Sequence, residues 1–412
     1  MEQLVFNIII VIIIFDYLLE RLLDYLNGTR RSNDLPAELA GIYDAEKYRE
    51  SQEYDKVKSR FSFFTSTLSL IVMLAILFFG VFAWLDDFVR GYTQNPILMA
   101  LLFFGILGFA ADILSTPLSI YSTFVIEEKF GFNKTTPRTF ILDKLKGWLL
   151  AAIIGGGLMA LIIWIYESTG EWFWLIAWGV ISGFTIFMTM FYSNIIVPLF
   201  NKQEPLEDGS LRSKIESFAK QVGFKLQNIF VMDGSKRSTK ANAYFTGLGA
   251  KKRIVLFDTL IKDHTDEELV SVLAHEIGHY KKKHTLTGTI LSIVQMGIML
   301  YILSLFLGDP VLSGALGAKE ISFHMSILTF GLLYGPISLV LGLIMNVISR
   351  KNEFAADRYA GENYSSKPLQ DALKKLSVNH LSNLRPHPAY VFFYYSHPPL
   401  LERLRSLDKV QS

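Results

Sequence analysis

Two histidines and a glutamate stand together in the segment His275-Glu276-Ile277-Gly278-His279. On a helix, residues four apart lie on one face about one turn apart, so both imidazoles can reach a single metal ion. Glu276 lies on the same turn, close enough to act on a metal-bound water without being a ligand. The pattern therefore predicts metal-assisted hydrolysis. The alternative is a helix whose two histidines are ordinary polar groups with hydrogen-bond partners.

A helix is expected to carry this segment. Thr265 and Glu268 have the spacing of a capping box, in which each side chain accepts a hydrogen bond from the other residue's backbone N–H. Apolar residues follow at helical spacing: Leu269, Val272, Leu273 and Ile277. The sequence therefore predicts that the histidine pair lies on a helix.

A third ligand must be a histidine or a carboxylate, because the chain contains no cysteine. Such a ligand set suits a catalytic site with an open position and argues against a closed thiolate site. Glu353 and Asp357 are four apart, hence on one face of a predicted helix. Glu353 could complete the site while Asp357 accepts the other ring N–H of a ligand histidine. The alternative is a solvated acidic face balanced by Arg350, Lys351 and Arg358.

Two further segments are candidates for contact with a substrate. Residues 228–233 and 253–257 are predicted strands, and between them lies a third extended segment: Asn242, Ala243, Tyr244, Phe245, Thr246 and Gly247. It is placed to hold an extended peptide by edge pairing, or it is an ordinary internal strand. His397, before two prolines, and Arg403, on the predicted helix that follows, are candidates to stabilise an oxyanion or grip a carboxylate. The alternative for both is a capped surface helix. His264 and His284 have no partner pattern and are expected at the surface.

Composition indicates a membrane protein. Of the 412 residues 51% are hydrophobic, and the formal net charge of +2 gives no sign of nucleic-acid binding. Seven apolar runs are long enough to cross a bilayer: 4–26, 62–85, 96–116, 147–166, 172–196, 286–308 and 323–348. The first run lacks a basic start and a cleavage site, so it is expected to be retained as an anchor.

Basic residues are concentrated in the loops 28–60 and 117–146. With an odd number of spans, this bias predicts an N-terminus outside and a C-terminus inside. The predicted organisation is five helices, then a polar domain with the histidine pair, then two helices and a C-terminal cytoplasmic segment: 1–198, 199–285, 286–348 and 349–412. Asp16 and Asp112 interrupt the first and third runs. They either face a polar space within the bundle or pair locally near span ends.

These motifs together resemble the zinc-dependent CAAX prenyl protease type I family. The resemblance rests on four segments in order, 242–247, 275–279, 349–357 and 397–403, and four shorter ones support it: 130–134, 198–201, 235–238 and 255–260. It implies one Zn²⁺ held by His275, His279 and Glu353, with Glu276 as general base. It also implies that Asp357 orients a ligand, that His397 and Arg403 face the peptide, and that the strand 242–247 lies along it.

The fold that this resemblance implies is mainly α: seven transmembrane helices enclosing a water-filled chamber, with a gluzincin-like α+β protease domain on the cytoplasmic side. The family removes the last three residues of proteins ending in prenylated cysteine-aliphatic-aliphatic-X, and some members act in membrane protein quality control. Expected partners are peptide or protein substrates, prenylated or not, and the lipid bilayer. The expected location is the inner membrane of a bacterium or an endoplasmic-reticulum-like membrane of a eukaryote. A four-span heat-shock metalloprotease, an intramembrane protease and an inactive scaffold or receptor are the competing interpretations.

Overall fold

Helices dominate a computed structural model of the chain, which describes residues 1–32, 34–35, 37–224, 229–246 and 253–410. The first half is helical throughout: α1 (Glu2–Gly28), α2 (Ala45–Phe78), α3 (Val81–Arg90), α4 (Pro96–Tyr121), α5 (Pro137–Leu150), α6 (Gly156–Thr169) and α7 (Phe173–Ile195). Large apolar side chains of α1 remain exposed at near-helical intervals: Leu4, Val11, Leu18 and Leu22. An apolar outer stripe suits a helix that faces lipid.

The middle of the chain forms a small sheet with helices beside it. Its elements are β1 (Gln203–Pro205), α8 (Ser210–Gln221), β2 (Ile229–Met232), β3 (Ala243–Thr246), β4 (Arg253–Phe257), α9 (Asp258–Asp263) and α10 (Asp266–Lys281). The strand order is β1-β2-β4-β3, with β2 and β4 parallel and the other pairs antiparallel. β3 therefore lies at an edge of the sheet. β2, β3 and β4 formed within the predicted segments, of which residues 228 and 247 lie outside the described part of the chain, whereas β1 was not predicted.

The remaining elements return to the membrane half and then back to the sheet. They are α11 (His284–Ser304), α12 (Pro310–Ala315), α13 (Phe323–Leu333), α14 (Gly335–Asn363), α15 (Ser366–Asn379), α16 (Pro388–Tyr394) and α17 (Leu400–Asp408). α14 begins in an apolar stretch and ends in a polar one, so a single helix carries Glu353 and Asp357 from the membrane half to the sheet.

Five helical stretches of the described chain are long and apolar enough to cross a membrane, or six if α13 and α14, bent by 55°, count as one span. The predicted count of seven is not confirmed. One of the five, Pro137–Leu199, is 63 residues long and includes both the fourth and the fifth predicted runs. It is interrupted at Gly170, whose φ of 53° interrupts a regular helix.

Asp112 lies on α4 and pairs with α5. Lys144 Nζ lies 2.7 Å from one carboxylate oxygen, and the indole N–H of Trp148 donates to the other at 2.9 Å. A carboxylate within an apolar helix is costly unless it is paired and hydrogen-bonded. The local-pairing interpretation therefore holds for Asp112.

α10 starts as the sequence predicts. Thr265 accepts a hydrogen bond from the backbone N–H of Glu268, and the Glu268 carboxylate accepts one from that of Thr265. Leu269, Leu273 and Ile277 are buried in the core formed with the sheet, α8 and α15. Burial of three large aliphatic side chains contributes several kcal/mol, at about 1.5–3 kcal/mol each. The histidine pair is thus carried by a helix that is largely buried in the domain.

Candidate active site

Three side chains from two helices converge on one point. The Nε2 atoms of His275 and His279 are 3.1 Å apart. Glu353, reaching over from α14, places Oε2 3.5 Å from His275 Nε2 and Oε1 3.3 Å from His279 Nε2. Glu353 Oε2 is buried and has no hydrogen-bond partner among the described residues. A buried carboxylate oxygen without a hydrogen bond is costly. The three side chains are also close enough together to hold one metal ion.

The outer ring nitrogen of His275 faces a second carboxylate. Its Nδ1 lies 2.9 Å from Asp357 Oδ1, and Arg403 donates two hydrogen bonds to Asp357 at 2.8 and 2.6 Å. Burial lowers the pKa of His275, but Asp357 and Glu353 outweigh it and raise that pKa to about 9. A ligand histidine must be deprotonated at the atom that binds the metal, so metal uptake here would release a proton.

Glu276 lies between the two histidines along the chain, and its carboxyl interacts electrostatically with both of them and with Glu353. Burial raises the pKa of its carboxyl above the ordinary value, while His275 and His279 act in the opposite direction. A carboxylate with a raised pKa is a better match for taking up and returning a proton near neutral pH. The arrangement can therefore support general base catalysis next to a metal.

Close contact between α10 and α14 brings the ligand set together. A Cβ at Gly278 would lie 3.1 Å from the Cα and the carbonyl oxygen of Ala356, which are backbone atoms and cannot rotate away. Glycine is therefore needed one residue before His279 for α14 to approach closely enough to present Glu353.

Gly278→Ala is expected to force α10 and α14 apart. Overpacking of this kind costs about 1–3 kcal/mol of the free energy of unfolding. The variant should lose thermal stability and bind metal more weakly, as measured by thermal unfolding and metal titration of the purified protein. Gly288→Ala on α11 is the matched control, because a Cβ there would meet nothing within 4 Å in the described chain. Equal behaviour of the two variants would contradict the close-contact argument.

His397 and Arg403 both reach the cluster, in different ways. His397 Nε2 lies 3.4 Å from Glu353 Oε1, and 65% of the His397 side chain is exposed. Arg403 is buried against carboxylates: besides its bonds to Asp357, its Nη1 lies 3.7 Å from Glu353 Oε2. These contacts leave His397 open to a ligand and tie Arg403 to the carboxylates behind the histidines.

The surface prediction for His264 is wrong, and His284 is half-buried with a partner that its spacing did not indicate. His264 is buried, and its Nδ1 lies 3.0 Å from the carbonyl oxygen of Leu260. His284 Nδ1 lies 3.0 Å from the Nδ1 of His279. A spacing of five does not put two residues on one helical face, so no pattern pointed to this pair. It forms because Lys283, with a φ of 61°, ends one helix and redirects the chain.

β3 carries the predicted peptide-binding segment at the sheet edge. Ala243 to Thr246 pair with Leu256 to Arg253 of β4 on one side only. Asn242 leads into the strand, and the hydroxyl of Tyr244 lies 3.2 Å from that of Ser193 on α7. Gly247, the last residue of the predicted segment, lies outside the described residues.

Comparison with known proteins agrees with this geometry. Residues 24–202 match a family model described as the CAAX prenyl protease N-terminal domain with five membrane helices, and residues 205–411 match the model of peptidase family M48. The CAAX prenyl protease 1 homolog of Oryza sativa subsp. japonica is 36% identical, over 92% of this chain and 91% of the relative. CAAX prenyl protease 1 of Saccharomyces cerevisiae is also 36% identical, over 91% and 89%.

The fold matches as well. The crystal structure of S. mikatae Ste24p superimposes with a TM-score of 0.91 at 35% identity, covering 98% of this chain and 99% of that one. The superposition thus includes both the helical membrane part and the domain with the histidine pair. The chain therefore belongs to peptidase family M48, as a multi-pass membrane metalloendopeptidase with a CAAX prenyl protease N-terminal domain.

Proposed function

We propose that this protein is a zinc-dependent endopeptidase that removes the C-terminal residues of prenylated proteins ending in cysteine-aliphatic-aliphatic-X. The observation that carries the proposal is the convergence of His275, His279 and Glu353 beside a half-buried Glu276. The substrate class is supported by relatives of similar length named CAAX prenyl proteases. The basic loops support an active site on the cytoplasmic side.

The chemistry of the donor set supports zinc as the metal, because imidazole nitrogens and carboxylate oxygens are ordinary zinc ligands. The Nε2 atoms of His275 and His279 are 3.1 Å apart. Glu353 lies 3.5 Å from the first of them through Oε2 and 3.3 Å from the second through Oε1. Two histidines and one carboxylate also leave a fourth position open, as catalytic zinc sites do.

In the proposed mechanism, His275, His279 and Glu353 would hold the zinc, which when bound would lower the pKa of a water to about 7. Glu276 is the residue that would take up a proton and return it to the leaving amine. His397, whose side chain is exposed beside Glu353, donates a hydrogen bond to the oxyanion. Asp357 holds the His275 ring in the orientation that leaves Nε2 free for the metal, and Arg403 holds Asp357.

His284 adds a second orienting contact that the sequence did not indicate. Its position 3.0 Å from His279 Nδ1 suits a hydrogen bond that leaves His279 Nε2 free for the metal. Each ligand histidine then has its own outer partner, a carboxylate for His275 and an imidazole for His279.

The edge of β3 supplies the substrate site in this proposal. An extended peptide can pair with the free edge through main-chain hydrogen bonds, which are indifferent to sequence. The peptide then runs beside α10, with its scissile carbonyl near Glu276.

The direct test is mass spectrometry of the products formed by the purified enzyme from matched peptides, with and without a chelator. We expect loss of the last three residues from a farnesylated cysteine-aliphatic-aliphatic-X peptide, and no cleavage after chelation. The unprenylated peptide with the same sequence should be cut more slowly. Equal cleavage of both peptides, or cleavage at scattered internal bonds, would instead indicate a quality-control protease without CAAX specificity. Chelator-resistant cleavage would contradict the metal mechanism.

A further inference from the structure

A polar cavity of about 630 Å³ opens beside the candidate active site. His397 lines one part of it, and its Nε2 lies 3.4 Å from Glu353 Oε1, so the cavity adjoins the metal ligands. Lys240 and His380 line another part, beside the residues that lead into β3. The cavity therefore connects the reacting centre to the N-terminal end of the edge strand.

The start of β3 is anchored to the wall of this cavity. The backbone N–H of Ala241 donates to His380 Nε2 at 3.0 Å. Lys240 donates to the hydroxyl of Tyr54 at 2.9 Å and to Glu127 at 2.8 Å, which ties the strand to the membrane half. Burial, with a smaller contribution from Lys240, lowers the pKa of His380 to about 4, so the ring stays neutral and accepts this hydrogen bond at neutral pH.

One cation of the cavity has no ionic partner. Three other cations in or next to the cavity form ion pairs with carboxylates: Arg31 with Asp55 at 2.5 Å, Lys240 with Glu127 at 2.8 Å and Arg21 with Asp24 at 2.9 Å. Lys58 is exposed on α2 and has no carboxylate oxygen within 4.0 Å in the part of the chain that the structure describes. Its Nζ lies 5.1 Å from the ring centroid of Tyr54, and that of Lys240 lies 5.2 Å from the same centroid. The Lys58 ammonium, which acts on Glu127 without contacting it, is therefore available to contact a ligand.

The direction of a bound peptide decides which of its ends meets this charge. β3 already pairs antiparallel with β4, and antiparallel pairing is slightly more stable per residue than parallel pairing. An antiparallel peptide on the free edge has its C-terminal residues beyond Ala243, towards Lys240 and the cavity. The opposite direction would place an isoprenyl group among charged side chains, which is unfavourable for an apolar chain.

We propose that this cavity binds the free C-terminal carboxylate of the substrate, with Lys58 as its cationic partner and Lys240 beside it. The inference rests on the proposed function, because it assumes cleavage close to a C-terminus. A carboxylate with a single negative charge matches the single unpaired ammonium, and a charge-assisted hydrogen bond is about twice as strong as a neutral one. Lys58 thereby determines that the enzyme acts on chain ends.

The test compares two farnesylated peptides of the same sequence, one ending in a free carboxylate and one in an amide. We expect wild-type kcat/KM for the acid to exceed that for the amide by about tenfold to hundredfold, as for loss of one hydrogen bond to a charged group. Lys58→Met should lose this preference by slowing cleavage of the acid alone, and Lys58→Arg should retain most of it. Lys56→Met is the matched control: Lys56 is exposed on the same helix, two residues away, and does not line the cavity.

Each other outcome counts against the proposal. Equal cleavage of acid and amide by the wild type would overturn the carboxylate site while leaving the proposed protease function intact. A preference that persists in Lys58→Met would remove Lys58 from the site. Equal loss of both activities in Lys58→Met would show a structural role only. Absence of any chelator-sensitive cleavage would refute the proposed function, and this inference with it.

Discussion

Glu276→Gln is expected to abolish peptide hydrolysis and leave the metal bound. Glutamine has nearly the same shape as glutamate, and residue 276 is outside the set His275, His279 and Glu353 that could hold a metal. The amide cannot accept the proton of a metal-bound water, and loss of a general base typically costs about 100- to 10,000-fold in rate. The measurements are kcat on a peptide substrate and metal content by elemental analysis of the same sample.

The control for this variant is Glu267→Gln. Glu267 lies on the same helix, is exposed and pairs with Lys214 at the surface, 2.7 Å away. It should keep both metal and activity, because a surface ion pair contributes about 1 kcal/mol or less. Full activity in Glu276→Gln would overturn the assignment of the base, and loss of metal from that variant would place Glu276 among the ligands.

The local parts of the site could be predicted because they depend on periodicity. The pair His275 and His279, and the pair Glu353 and Asp357, each lie four apart, and a helix puts such pairs on one face whatever surrounds it. The capping box at Thr265 gave the start of α10 by the same local chemistry. The two pairs meet because α10 packs against α14. No spacing in the sequence encodes this packing, and only the family resemblance implied it.

The contacts that sequence reasoning missed arise where the chain changes direction. His284 reaches His279 because Lys283 adopts a left-handed conformation that is uncommon for lysine. Lys240 meets Glu127 and Tyr54 across more than a hundred positions of sequence, through the packing of the sheet domain on the membrane half. The apolar runs in the sequence coincide with the long apolar helices of the structure. The number of membrane passes stays a prediction, because the chain breaks at Gly170 and bends between α13 and α14.

Glu353→Ala is expected to remove the metal and, with it, all activity. In the proposed site Glu353 supplies the third ligand from α14, and without it only two histidines on one helix turn would be left to hold the ion. Even residues that only orient a ligand change metal affinity by about 10- to 100-fold, so loss of the ligand itself should cost more. The measurement is metal stoichiometry after dialysis, together with peptidase activity at the same protein concentration.

Glu362→Ala is the matched control for that experiment, since Glu362 lies on the same helix and is exposed. It should retain one metal per chain and normal turnover. In Glu353→Ala, Arg403 keeps its two hydrogen bonds to Asp357 and α10 keeps its apolar core, so the chain should remain folded and elute normally from a sizing column. Unchanged metal content in a folded Glu353→Ala protein would exclude this carboxylate as a ligand. The close contact at Gly278 would then be a packing feature of α10 and α14 without a role in metal binding.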